Sequence, residues 1–311
     1  MRPATAADRP AMTAIAEATS RTPRRTSSDA EFARAKVNLA LHVTGQRADG
    51  YHLLDSLAVF PDIGDRLRVS PAKATSLVLS GPFADALEAD DPDNLVLKAG
   101  RLFFEHSRQV APPLRFALEK NLPVASGIGG GSADAAACLR LLADRYGRGR
   151  ADAALVGIAL ALGADVPACL AQRPCRLSGI GERLDPAPPL PEIAIVLVNP
   201  GVGVSTPAVF RALETRDNPP LPAFPERFAT PEVLLDWLRA TRNDLQPAAM
   251  SICPAIGTVL DALDARPETL FARMSGSGAT CFALCRPADA GPLHESLARD
   301  HPDWWIACGT V

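Results

Sequence analysis

"ASGIGGGSADAAA" spans Ala125–Ala137, with four glycines among its first seven residues and a run of alanines after them. Glycine loses more conformational freedom on folding than any other residue, so a cluster of it needs a local cause. Two causes compete. One is a bare backbone wrapping a group of negative oxygens, with a helix N-terminus aimed at them. The other is a flexible loop that only precedes a helix.

The flanks narrow the choice. "LRFALEK" upstream reads as a strand, Asn121-Leu122-Pro123 leads into the loop, and Ser132 opens a helix to about Arg145. A G-x-x-x-x-G-K-[ST] loop needs a lysine before its hydroxyl, and Gly131 stands there instead. A dinucleotide loop needs a third glycine where Ser132 stands. The pattern that fits is P-x-x-x-G-[LI]-G-x-[GS]-S, filled by Pro123, Gly127, Ile128, Gly129, Gly131 and Ser132.

Further out, "FARAKVNLALHV" (Phe32–Val43) reads as one strand carrying Lys36 and Asn38. "YHLLDSLAVF", "DRLRVSP" and "SLVLSG" read as more strands, "DNLVLKAGRLFFEHSR" as a helix capped by Asp93, and Ala151–Leu162 as a second helix. Beyond the Pro-rich break at Asp185–Glu192, strands are predicted at "IAIVLVNP", "LFARMSG", "TCFALC" and "WWIACGTV". Helices are predicted near Glu232–Thr241, Ala255–Ala265 and Ala288–Arg299, after a long loop over Asp217–Pro231. This mixture is α+β. The 311 residues suit two domains, divided near residue 175 into 31–175 and 176–311. Residues 1–30, rich in Ala, Thr, Ser and Arg, are expected to be a disordered extension. Asp8, Glu17 and Asp29 speak against a transit peptide there.

Composition removes several function classes. A net charge of -3 and a pI near 6.0 offer no basic stripe for nucleic acid. No apolar run is long enough to span a bilayer, so no membrane partner is expected. The seven cysteines are odd in number, scattered, and form no C-x-x-C pair. They read as buried thiols of a cytoplasmic protein rather than a zinc site or a disulfide framework.

A second Gly/Ser loop, "RMSGSGATCFAL" (Arg273–Leu284), and the stretch "ARAKVNLALHV" complete a set of three. In this order they resemble the motifs of the GHMP superfamily of galactokinases, homoserine kinases, mevalonate kinases and phosphomevalonate kinases. "GQRADGYH" (Gly45–His52), "LGADVPACL" (Leu162–Leu170) and "NPGVGVSTPAVF" (Asn199–Phe210) more closely resemble one of its branches, the 4-diphosphocytidyl-2-C-methyl-D-erythritol kinases. The likeness runs from about Phe32 to Leu284.

That resemblance implies a two-domain fold, with an N-terminal domain like ribosomal protein S5 domain 2 and a ferredoxin-like C-terminal domain. ATP and substrate would share the cleft between them. The implied reaction moves the ATP γ-phosphoryl group, with Mg²⁺, to the 2-hydroxyl of a cytidyl-diphospho-methylerythritol in the non-mevalonate isoprenoid precursor pathway. Lys36 and Asp165 become the catalytic pair. Pro123, Val124, Ala125, Ser126, Gly127, Ile128, Gly129, Gly130, Gly131 and Ser132 take the ATP phosphates, and Asn94 and Lys120 contact adenine or phosphate. Tyr51 and His52 meet the cytosine and ribose, Phe210 stacks on the other face of the base, and Asn38 and Thr206 lie near the substrate. No side chain is a firm metal ligand, though the Ser132 hydroxyl could reach the metal of Mg-ATP. A monomer or weak homodimer is expected. On local grounds alone, Asp165 also reads as a helix cap before Pro167, Lys36 as a solvated strand face, Asn94 as a helix start and Lys120 as an exposed strand end. Another small-alcohol kinase of the superfamily, or an RNA-binding module, remains the rival reading. Binding of a cytidine nucleotide without RNA affinity separates the three.

Overall fold

The computed structural model describes residues 29–311 apart from positions 90, 108, 109 and 151, and residues 1–28 of the expected extension lie outside it. Residues 29 and 30 belong to the body. The Asp29 carbonyl accepts the Val69 N–H at 3.0 Å, and Ala30 opens the first strand.

The first half alternates two sheets with helices. In chain order it comprises β1 (Ala30–Arg34), β2 (Val37–Gln46), β3 (His52–Val59), β4 (Gly64–Pro71), β5 (Ser76–Ser80), α1 (Leu95–Ser107), β6 (Leu114–Glu119), α2 (Gly130–Arg145), α3 (Ala153–Leu162), α4 (Val166–Ala171), β7 (Cys175–Gly179) and β8 (Arg183–Pro186). One sheet runs β1–β4–β6–β5 and the other β2–β3–β7–β8. The stretch expected as a single strand is therefore two. It breaks at Ala35-Lys36, and its halves join different sheets. The apolar sides of α1 and α2, with Phe103, Leu139 and Leu142, cover Phe116 and Leu67 of the first sheet. The cap of α1 is also one residue later than expected: the Asn94 side chain, not Asp93, accepts the Val96 N–H at 3.0 Å.

The second half contains β9 (Ala194–Asn199), α5 (Thr206–Arg211), α6 (Pro231–Arg239), α7 (Gln246–Ile252), α8 (Ala255–Asp264), β10 (Phe271–Met274), β11 (Cys281–Cys285), α9 (Ala290–Asp300) and β12 (Trp305–Thr310). Its sheet runs β10–β11–β9–β12, every neighbour antiparallel. With helices between β9 and β10 and between β11 and β12, this is the expected ferredoxin-like order. The short α5 and α7 lie outside the helices expected from periodicity.

A division at residue 175 cuts through a sheet, because β7 pairs back onto β3 and β8 onto β7. The first half's strands thus run on to Pro186. The halves also share a core: Leu39 and Leu57 pack with Ile195, Leu197 and Phe282. β2 bonds to the second half along its backbone as well. Leu41 N–H donates to Arg242 O at 2.9 Å, and Asp244 N–H donates to Leu41 O at 2.8 Å.

Arg273 secures the same seam. It is 9% exposed, and its guanidinium donates to Leu39 O at 2.9 Å, Thr241 Oγ1 at 3.0 Å, Leu238 O at 3.0 Å and Thr241 O at 2.8 Å. Burial, with Arg242 nearby, draws its pKa down to about 10, which leaves it charged at neutral pH. Replacing Arg273 with Leu strands these acceptors in a dry site. Urea unfolding should show a loss of more than about 3 kcal/mol.

Candidate active site

Three sequence motifs that lie far apart in the chain meet at one point. The glycine loop leaves β6, passes Ile128, which is fully buried, and enters α2. α2 begins at Gly130, two residues before the expected start, so Ser132 is its third residue rather than its opening one. Gly127 and Gly129 both hold positive φ, at 77° and 65°. Against this loop lies the turn between β10 and β11. Thr280 N–H donates to Ser126 O at 3.1 Å, and Ser275 Oγ donates to Gly127 O at 3.1 Å. A Cβ on Gly127 would stand 2.7 Å from both Ser275 O and Gly278 O, closer than real Cβ atoms come. Lys36 N–H completes the junction by donating to Ile128 O at 2.9 Å.

The first amides of α2 have no partner within the helix, and a sixteen-residue helix lends them partial positive charge. That end suits a polyphosphate. Within the loop, Ser126 is buried and its hydroxyl donates to Pro123 O at 2.6 Å, whereas Val124 and Ala125 are exposed.

Lys36 lies in the two-residue break between β1 and β2, so it does not share a strand with Asn38 as expected. This places its buried side chain under the helix end, where Nζ meets Asp165 Oδ1 at 2.6 Å. Asp165 occupies the cap position of α4, but its side chain makes no capping bond. Its carboxylate is engaged by Lys36 instead. Both residues line a cavity of about 340 Å³, together with Asn38, Gly129, Ser132 and Thr206. A register shift between Asn38 and Ala40 marks a bulge in β2. Asn38 there donates through Nδ2 to Ser56 Oγ at 2.7 Å, and its N–H donates to Ser275 Oγ at 3.1 Å. Thr206 Oγ1 lies 2.7 Å from Ser277 Oγ, which ties α5 to the second Gly/Ser loop.

Ser132, Asp165, Thr206 and Phe210 also line a neighbouring cavity of about 730 Å³, which contains Tyr51 and His52. Here the expected sandwich is modified. The rings of His52 and Phe210 already stack on each other, 4.8 Å between centroids and 26° between planes, so no base fits between them. Tyr51 stands 61% exposed beside the pair. His52 Nε2 is buried without a hydrogen-bond partner. Burial, then the charge of Arg216, lowers the His52 pKa and favours the neutral ring. Arg211 and Arg216 line this cavity too, and among the described residues neither forms an ion pair. Neither was singled out in the sequence; two arginines near Phe210 carry no motif, and only the cavity relates them to the site.

A third cavity, of about 230 Å³, opens on the far side of the loop and is lined by Asn94, Lys120, Val124, Gly130, Gly131 and Asp134 among others. Lys120 is not an exposed strand end. It is 2% exposed and held between Asp65 and Asp134. Burial, against the pull of Lys120, pushes the Asp134 carboxyl up to about 7. No group of three or more His, Cys, Asp or Glu side chains among the described residues could hold a metal ion.

The chain matches the GHMP kinases N terminal domain over residues 94–173 and the GHMP kinases C terminal domain over residues 226–303. A 4-diphosphocytidyl-2-C-methyl-D-erythritol kinase of Dinoroseobacter shibae is 53% identical over 89% of this chain and 93% of its own length. One of Cereibacter sphaeroides is 54% identical over 89% of this chain and 96% of its own. The chain belongs to this family of GHMP kinases. A crystal structure of a 4-(cytidine 5'-diphospho)-2C-methyl-D-erythritol kinase is 34% identical, with a TM-score of 0.73 over 90% of this chain and 98% of that one. A homoserine kinase from Cytophaga hutchinsonii, 20% identical with a TM-score of 0.61, shares the fold. For a GHMP kinase, the two-domain α+β architecture and the meeting of its three motifs are accounted for together.

Gly129 tests the loop. Its φ is one that side chains with a branched β-carbon avoid, and a Cβ there would lie 3.3 Å from Lys36 Cβ. Gly129→Val should raise the apparent KM for ATP or abolish turnover while the circular dichroism spectrum stays native. Unchanged kinetics would refute the phosphate cradle.

Proposed function

We propose that the chain transfers the γ-phosphoryl group of ATP to the 2-hydroxyl of 4-diphosphocytidyl-2-C-methyl-D-erythritol. The observation that carries this reading is the Lys36–Asp165 pair, set between the N-terminus of α2 and a cavity walled by aromatic rings. Phosphoryl transfer needs little covalent chemistry from a protein. It needs in-line positioning and charge stabilisation.

The loop from Pro123 to Ser132 receives the triphosphate on its amides, and Asn94 borders the adenine side. Mg²⁺ carried with ATP would neutralise phosphate charge. The Ser132 hydroxyl, beside the loop, would reach it, and among the described residues no group of three or more His, Cys, Asp or Glu could hold a metal ion. Asp165, whose side chain is 39% exposed, faces the cavity and takes the proton of the attacking hydroxyl. Lys36 balances the carboxylate and stabilises the oxygen as negative charge develops on it. Asn38 and Thr206, both braced by serines of the second Gly/Ser loop, orient the acceptor.

The cytosine lies against the open side of the His52–Phe210 stack, with Tyr51 closing over it. His52 Nε2, buried and unpartnered, supplies an edge contact. The diphosphate between base and alcohol meets Arg211 and Arg216, neither of which forms an ion pair among the described residues. The thiols of six of the seven cysteines are buried, as suits a cytoplasmic enzyme, acting as a monomer or weak homodimer on small molecules. No helix among the described residues is long and apolar enough to cross a membrane.

ADP release measured with ATP, Mg²⁺ and the cytidyl substrate, beside homoserine and mevalonate, tests the substrate directly. Activity only with either of the latter two would overturn the reading. Asp165→Asn keeps the shape and removes the base. Turnover should fall by about 10²–10⁴ with KM for ATP little changed. Near wild-type turnover would leave Lys36 as the working member of the pair.

Phe210→Ala removes one wall of the base site, where stacking is worth about 1–3 kcal/mol per base. KM for the cytidyl substrate should rise far more than KM for ATP. Equal shifts in both would place the cytosine elsewhere.

A further inference from the structure

Three ionisable side chains lie buried together beneath the glycine loop: Asp65 on β4, Lys120 just past β6, and Asp134 near the start of α2, none more than 3% exposed. Charges removed from water are costly unless paired and hydrogen-bonded. The Lys120 ammonium donates to Asp65 Oδ2 and, at 2.8 Å, to Asp134 Oδ2. The other Asp65 oxygen accepts the backbone N–H of Asn121 at 2.5 Å and of Leu122 at 2.8 Å.

These two amides are where the chain leaves the sheet. The β4–β6 ladder ends at the Arg66 and Glu119 pair, and the Lys120 N–H crosses to Ser80 O at 2.7 Å. The Asp65 carboxylate therefore stands where the next rung would be and fixes the direction in which the loop departs. Through Lys120 it also reaches Asp134, on the helix that the loop enters. Both ends of the loop are tied to one buried side chain.

The cluster is not symmetric. Both oxygens of Asp65 are engaged, by three donors in all, whereas Asp134 Oδ1 has no partner. Lys120 also lies close under the start of α2: a Cβ added to Gly130, its first residue, would stand 3.1 Å from Nζ.

We propose that Asp65 is the positioning residue of the nucleotide site: without touching ATP, it holds the glycine loop and the first turn of α2 in the form that receives the triphosphate. This rests on reading the loop as the ATP phosphate cradle.

The wild-type protein is first titrated with a non-hydrolysable ATP analogue and Mg²⁺. Absence of binding there would overturn the cradle and the assignment together, before any variant is made. Given binding, Asp65→Asn keeps the shape and an acceptor for the loop amides but loses the charge that faces Lys120. Affinity for the analogue should fall by about tenfold or more, the scale of a lost charged hydrogen bond. KM for ATP should rise in step while KM for the cytidyl substrate stays within about twofold. A carboxylate with only a structural role would lower the melting temperature without separating the two KM values, and that result would overturn the proposal. Hydrogen exchange on the wild-type protein decides the matter even if the variant does not fold. In the nucleotide-free protein the Asn121 and Leu122 amides should exchange as slowly as those of β6, and the analogue should slow them no further. Rapid exchange before nucleotide is added would show that Asp65 does not hold the loop.

Discussion

The site depends on a backbone-to-backbone contact between two glycine loops. Gly127, from the first half of the chain, lies against Ser275 and Gly278, from the second, at a separation that leaves no room for a side chain. Two hydrogen bonds across this contact, from Ser275 Oγ and from Thr280 N–H, set its register. The halves cannot slide past one another without breaking them, and a shared, close-packed core under β2 and β9 resists the same motion. The distance from the N-terminus of α2 to the acceptor side of the cavity is thereby fixed. Phosphoryl transfer depends on that distance more than on any single reactive group.

Electrostatics then divide the site. Partial positive charge gathers at the start of α2, Lys36 extends it, and Arg211 and Arg216 answer it across the aromatic cavity. Between these cationic ends stands Asp165, held by Lys36 rather than spent on capping α4. On the proposed function, a carboxylate in that position faces the acceptor hydroxyl, away from the phosphate chain that the dipole and the arginines would attract. On the reading proposed above, donor and acceptor are sorted by charge before any bond changes. Beneath the loop, Asp65, Lys120 and Asp134 are shielded from solvent, so their mutual attraction is little screened. There the same kinds of side chain pair with one another.

Much of this was written locally. The strand, glycine loop and helix around Ala125–Ala137 were legible because turn chemistry and apolar periodicity act over a few residues. The succession of strands and helices in the second half followed the same signals, while the motifs carried the family resemblance and, with it, the ferredoxin-like arrangement. What was not legible is equally specific. A break of two residues in an apolar stretch looks like continuity, so Lys36 was placed on a strand that in fact divides between two sheets. Lys120 at a strand end carries no mark of burial, because Asp65 and Asp134 reach it from elsewhere in the chain. The return of β7 onto β3, with β8 beside it, likewise hides behind a division that looks natural in the sequence.

The sequence by itself determined where backbone had to be bare, which segments could be strands or helices, and which residue types stood ready for phosphate, proton and base. Those properties depend on neighbours within about one or two helical turns. Only the tertiary structure decided which of them act together. Lys36 and Asp165 are 129 residues apart, and Ser275 and Gly127 are 148 apart. Contacts of that span are selected by how whole sheets pack. That is why the stacking of His52 on Phe210, the burial of Lys120 and the pairing that frees Asp165 from its helix became visible only in the folded chain.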